Sequence, residues 1–209
     1  TTIIGTDLPY YCKYVLGNDE WYYSVIYTSE IVALIVGALL CPMLLQKFNK
    51  RNLSLAGCIV VVIAHALIMV NPMSFRWILA MTIIRSLGQA PLTSLVFGMM
   101  GDVVEYGQWK SHLRQESLIF GGGSLGFKIG TGITSAVMTA MLEGAGFLSS
   151  VTGGAMQPTS AQQMISSIFK IGPILVWIVA IIVLLFYKLD KIYPTIMKEL
   201  TEREARGEM

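Results

Sequence analysis

Charge is scarce in this sequence. Only 13% of its 209 residues are Asp, Glu, Lys or Arg, about half the ~25% that a soluble domain carries. That shortage excludes an ordinary water-facing surface, and a net charge of +2 gives no argument for binding nucleic acid. Cysteine is scarce as well. Cys12, Cys41 and Cys58 stand alone, with no CxxC pair and no metal-ligand spacing, and read as small apolar residues. There is no HExxH, no nucleophile–base pair and no phosphate-binding glycine loop, so the motifs offer no catalytic centre. Neither an initiator Met nor a positively charged leader precedes the first apolar run, so the chain is expected to be a piece of a longer protein.

What fills the sequence instead is long apolar runs, and 54% of the residues are hydrophobic. Ser117 to Leu142 is the most telling run, with 26 residues and one ionisable side chain, Lys128, near its middle. As a helix it is long enough to cross the ~30 Å hydrocarbon core of a bilayer. Gly122, Gly126, Gly130 and Thr134 recur every four residues, the small-xxx-small pattern that lets membrane helices approach closely. Gly121, Ser124, Thr131, Gly132 and Ser135 fall on the other side and surround Lys128. The first face reads as a packing face, the second as the wall of a polar cavity with a cation set into it.

The chain divides into six such spans, at about 1–17, 21–45, 53–70, 75–100, 117–142 and 163–187, with a polar tail over 190–209. The fold class is therefore an all-α integral membrane bundle of six helices. Gly17-Asn18 reads as a helix stop, Asn71-Pro72 as a turn, Gly101 to Glu116 as a charged loop, and Glu143 to Gln162 as a Gly/Ser/Thr-rich connection. A short helix is expected after Pro194. Ten Lys and Arg lie in the second-to-third loop (Lys47, Lys50, Arg51), the loop with Lys110 and Arg114, and the tail. The opposite loops hold Arg76 alone, which puts the basic loops and the C-terminus in the cytoplasm.

Ionisable residues inside spans default to ion or substrate pathways, with helix-locking ion pairs as the alternative. Asp7, Lys13, Glu30, Arg85, Lys128 and Lys170 are such residues. A structural pair of Glu30 with Lys13 or Lys170 is one expectation, and Lys170 could instead snorkel to the interface. His65 reads as a histidine packed between helices rather than a proton relay. Thr82, Arg85, Ser86, Gln89 and Thr93 form a polar stripe at helical spacing, expected to line the same cavity as Lys128. Asp7, Tyr10, Tyr11 and Tyr14 share a face of the first span, either an interfacial aromatic belt or a rim of hydroxyls and rings for a polar ligand.

The stretch GDVVEYGQWKSHLRQES, followed by Lys128 in the next span, closely resembles the glycoside–pentoside–hexuronide:cation symporters, the family of the melibiose and glucuronide permeases within the major facilitator superfamily. The matching positions are Asp102, Glu105, Tyr106, Gly107, Gln108, Trp109, Lys110, Arg114 and Glu116, and YYCKYVLGN is similar to the family's seventh helix. The resemblance implies the C-terminal six-helix half of a bacterial inner-membrane transporter, with the N-terminal half as its partner. It implies no cofactor, and a coupling Na+ or H+ held mainly by that other half. It places the family's intramembrane lysine of the cation and sugar site on Lys128. Expected sugar or hexuronate contacts are Lys128, Arg85, Gln89, Ser124, Thr93, Tyr10, Tyr14 and Asp7. Asp102, Glu105, Tyr106, Lys110 and Arg114 are expected to form a cytoplasmic gate, with Lys47, Lys50 and Arg51 as further cations beside its two acids.

Overall fold

The computed structural model describes residues 2–17, 21–148 and 157–206. The described residues form seven helices: α1 (Thr2–Tyr14), α2 (Trp21–Leu45), α3 (Lys50–Ile68), α4 (Phe75–Ser111), α5 (Glu116–Gly144), α6 (Thr159–Phe186) and α7 (Leu189–Ala205). Four of them, α2, α3, α5 and α6, are long and apolar enough to cross a membrane. α1 has 13 residues, about 20 Å of helix. It gives way to a turn in which Gly17 takes φ 72°, a left-handed angle that suits glycine. Much of the connection expected over Glu143 to Gln162, residues 149–156, lies outside the described residues, as does Asn18.

α4 departs most from the sequence expectation. It was expected to end near Met100, but it runs for 37 residues, about 55 Å, to Ser111. Only residues 112–115 separate it from α5. The charged composition of Gly101–Ser111 reads as a loop, yet no proline interrupts it, and α7 packs along it. His112 ends the helix in the left-handed region (φ 57°), its N–H given to the Gln108 carbonyl. At the other end, the Ser74 hydroxyl caps α4 by accepting from the Trp77 N–H. The tail is also corrected: α7 starts five residues before Pro194 and carries that proline inside it. Its buried Ile196 and Leu200, four apart, hold it to the bundle.

α4 is the centre of the packing, with α2 and α3 closest to it. A methyl group on Gly57 of α3 would lie 2.2 Å from the Gly88 carbonyl oxygen of α4, and one on Gly37 of α2 would lie 2.4 Å from Ala90 Cβ. These are the glycines that permit close helix approach. The stripe expected to do so, Gly122, Gly126 and Gly130, has open space at every Cβ position. α5 meets its neighbours towards its ends, with Met138 and Leu142 buried and Gly123 against the Met100 side chain. Residues 121–130 are all exposed. The small-residue spacing permits an approach that no described element makes.

The two ends of the bundle differ. One end is aromatic: Tyr11 stacks on Phe169 at 4.2 Å, Tyr22 on Phe75 at 4.2 Å, and Tyr10 meets Phe147 edge-on at 5.4 Å. The Tyr11 hydroxyl donates to the Pro72 carbonyl (2.6 Å) and ties α1 to the α3–α4 turn. The opposite end gathers Lys50, Arg51, Asp102, Glu105 and α7.

Candidate functional site

The polar stripe of α4 does not line an open cavity. Thr82, Arg85, Ser86 and Gln89 are buried against α2 and α3, while Thr93 is exposed. Arg85 Nη2 stands 2.8 Å from Glu30 Oε2, a buried ion pair joining α4 to α2. The expected partners of Glu30, Lys13 and Lys170, are replaced by Arg85, because the close approach of α2 and α4 at Gly37 brings these faces together. His65 is buried on α3, its Nδ1–H given to the Val61 carbonyl at 3.1 Å. Among the described residues, Arg85 Nη1 and both amide atoms of Gln89 have no hydrogen-bond partner.

Lys128 occupies a separate region. It lies in the exposed middle of α5, with exposed Ser124 and half-buried Thr131 on its face. The Thr131 hydroxyl bonds back to the Lys128 carbonyl at 2.9 Å and so leaves the lysine side chain untouched. Lys128 and the α4 stripe therefore do not share a cavity within the described residues, because Arg85 is sealed by Glu30 whereas Lys128 is open. On α1, Asp7 and Tyr11 are buried, and Tyr10 and Tyr14 are half-buried beside Phe147.

At the basic end the acids of α4 are engaged. Lys50 Nζ bonds both carboxylate oxygens of Asp102, at 2.6 and 2.8 Å. The Tyr187 hydroxyl approaches Asp102 at 3.3 Å, and the Tyr193 hydroxyl donates to Glu105. Burial and the Glu105 carboxylate push the Tyr193 phenol above its ordinary range, so it remains a donor throughout physiological pH. Asp190 accepts the Arg51 backbone N–H (2.8 Å), capping α3, whose own N-cap Asn49 makes no side-chain bond. The Arg51 guanidinium in turn bonds the Leu184 and Leu185 carbonyls at the end of α6 (2.8 and 2.9 Å). Trp109 Nε1 donates to Glu199 (2.6 Å) and Arg203 to the Trp109 carbonyl (3.0 Å).

Of the cations expected beside Asp102 and Glu105, only Lys50 meets one of them, and the partner of Glu105 is a tyrosine. Arg114 pairs instead with exposed Glu116 at 3.4 Å, a contact of little energetic weight. Lys110 lies 5.8 Å from the Tyr106 ring centre, and Tyr106 in turn meets Trp109. Asp190, Tyr193, Glu199 and Arg203 are not among the expected site residues, since the sequence expectation for this stretch is a charged tail with a short helix after Pro194. Its apolar pair Ile196 and Leu200 was the available signal.

Lys128 thus lies in the exposed middle of a long apolar helix, beside a bundle whose helices are latched at its basic end. The family model for MFS/sugar transport proteins matches residues 2–191. The chain belongs to that family. Among curated relatives, the isoprimeverose transporter of Lactiplantibacillus pentosus is 28% identical, over 94% of this chain and 40% of that protein. The putative sulfoquinovose importer of Escherichia coli is 26% identical, over 94% of this chain and 42% of its own length. The glucuronide carrier protein homolog of Escherichia coli is 23% identical, over 98% of this chain and 44% of its own length. The chain thus spans about two-fifths of the length of these MFS/sugar transport relatives.

Proposed function

We propose that this chain is the C-terminal, six-span half of a cation-coupled sugar symporter that works by alternating access, with its basic end in the cytoplasm. The observation that carries the proposal is the place of Lys128, a cation in the exposed middle of a long apolar helix among Gly, Ser and Thr. A charge at that depth costs about 2.5–3.5 kcal/mol on insertion scales, so a lysine kept there points to a functional role. Two of the three relatives are named for anionic sugars, glucuronide and sulfoquinovose. Lys128 suits a hexuronate or similar acid sugar, held between this half and an N-terminal half near the bilayer midplane. Arg85 is already bound to Glu30, which makes Lys128 and Ser124 the better-placed contacts. The decisive experiment is uptake by the full-length protein in vesicles. Sugar accumulation driven by an ion gradient supports symport. Gradient-independent flux would indicate a channel, and chemical conversion of the sugar an intramembrane enzyme.

In this reading the Asp102 and Glu105 contacts are an inner gate. Lys50–Asp102 is partly exposed and Glu105–Tyr193 joins α4 to a terminal helix, so both can break without opening the core. Asp102→Asn with Glu105→Gln should shift the protein towards the inward-open state. Accumulation should fall several-fold while sugar affinity changes less. Labelling of cysteines placed in the cytoplasmic vestibule checks the shift, and unchanged labelling with unchanged accumulation would leave these acids as plain structural contacts.

A further inference from the structure

We infer that Asp7 is a proton-binding site belonging to this half, so that the coupled cation is a proton rather than a metal ion. The inference rests on the symport reading above. Asp7 is fully buried (0% exposed), and neither carboxylate oxygen has a hydrogen-bond partner. Other acids of the helices are paired or exposed: Glu30 with Arg85, Asp102 with Lys50, Glu105 with Tyr193, Glu116 and Glu143 facing outward. Asp7 alone combines full burial with two orphaned oxygens among the described acids. An ionised carboxylate taken out of water without a partner costs many kcal/mol, and a proton on the carboxyl removes the charge that incurs the cost.

The groups around α1 do not offset that charge. α1 packs on α6, α5 and α2. From α2, Glu30 is held by Arg85; from α5, Lys128 and Glu143 are exposed; from α6, half-buried Lys170 makes no hydrogen bond to Asp7. On α1 itself, Tyr11 gives its hydroxyl to Pro72 and Cys12 is a buried thiol. The core that α1 helps to form is apolar, with Leu8, Ile165, Ile168 and Phe169 in it. A metal ion needs several ligands at once, and no group of three or more His, Cys, Asp or Glu side chains that could hold one occurs among the described residues. A proton needs one carboxyl oxygen. The site therefore suits a proton.

The burying helices can also yield. α1 carries Pro9 two residues beyond Asp7, and α6 carries buried Pro173, each removing one helical hydrogen bond. Separation of α1 from α6 would wet the carboxyl and release its proton; repacking would take one up.

The test uses the full-length protein in proteoliposomes, with glucuronate and isoprimeverose as probe sugars. An inward proton gradient should drive accumulation by the wild type. Asp7→Asn, neutral and of the same shape, should lose at least about tenfold of gradient-driven accumulation and with it the dependence of accumulation on the imposed proton gradient, with Asp7→Glu restoring part of both. Full accumulation by Asp7→Asn, or wild-type accumulation that follows sodium and ignores protons, overturns the inference. If the wild type exchanges neither sugar, that failure falls on the symport reading, and infrared spectroscopy still decides on Asp7. A protonated-carboxyl band at neutral pH that Asp7→Asn removes, or Asp7→Glu moves if the Asn variant does not insert, supports the site. Absence of the band from the wild type, or a band that neither variant alters, overturns it.

Discussion

Lys128→Met in the full-length protein should abolish concentrative sugar uptake while leaving the protein in the membrane at wild-type yield or better. Methionine keeps the length and flexibility of the side chain and removes only the charge and its three donors. A hydrogen bond to a charged group contributes about 1.5–3 kcal/mol, so its loss should weaken sugar binding roughly ten- to hundredfold. Insertion should become easier, because the lysine lies exposed in the middle of α5 and no side chain of the described bundle pairs with it. The substitution therefore separates function from folding. Uptake and surface yield measured side by side check it, and normal uptake by the variant would remove Lys128 from the site.

That separation was legible in the sequence, because a lone cation in a 29-residue apolar helix needs no tertiary information to be noticed. The bounds of α2, α5 and α6 were close for the same reason: apolar length is a local property. What was not legible is which faces meet. The small-residue pattern at Gly122, Gly126 and Gly130 drew attention to α5, yet the helices that touch backbone to backbone do so at Gly57 and Gly88, where no four-residue repeat marks the contact. The continuation of α4 through Gly101–Ser111 was hidden by charge, because its acids and Trp109 look solvated until α7 supplies Tyr193 and Glu199 from some ninety residues away. Arg85 was visible as an intramembrane cation on a cavity-lining stripe, but the expected partners of Glu30 were Lys13 or Lys170, not the arginine 55 residues away.

The choice of Arg85 has a large energetic consequence. Glu30→Gln should destabilise the bundle by about 3–5 kcal/mol, the range for removing one partner of a buried pair and stranding the other charge. The side chains are only 9% and 2% exposed, so water cannot take over the role of the lost carboxylate. Arg85 Nη1 already lacks a partner, so the guanidinium has little else to turn to. Replacing both residues by methionine should recover most of the loss, since apolar side chains of similar volume need no compensation. Thermal unfolding of the single and double variants in detergent closes the cycle. If Glu30→Gln loses less than about 1 kcal/mol, the pair is wet or broken in the membrane. Arg85 then returns as a candidate for the sugar, alongside Lys128. If the single variant fails and the double variant stands, the α2–α4 pair is a fixed structural weld. The moving parts of the cycle are then sought at Lys128 and at the basic end.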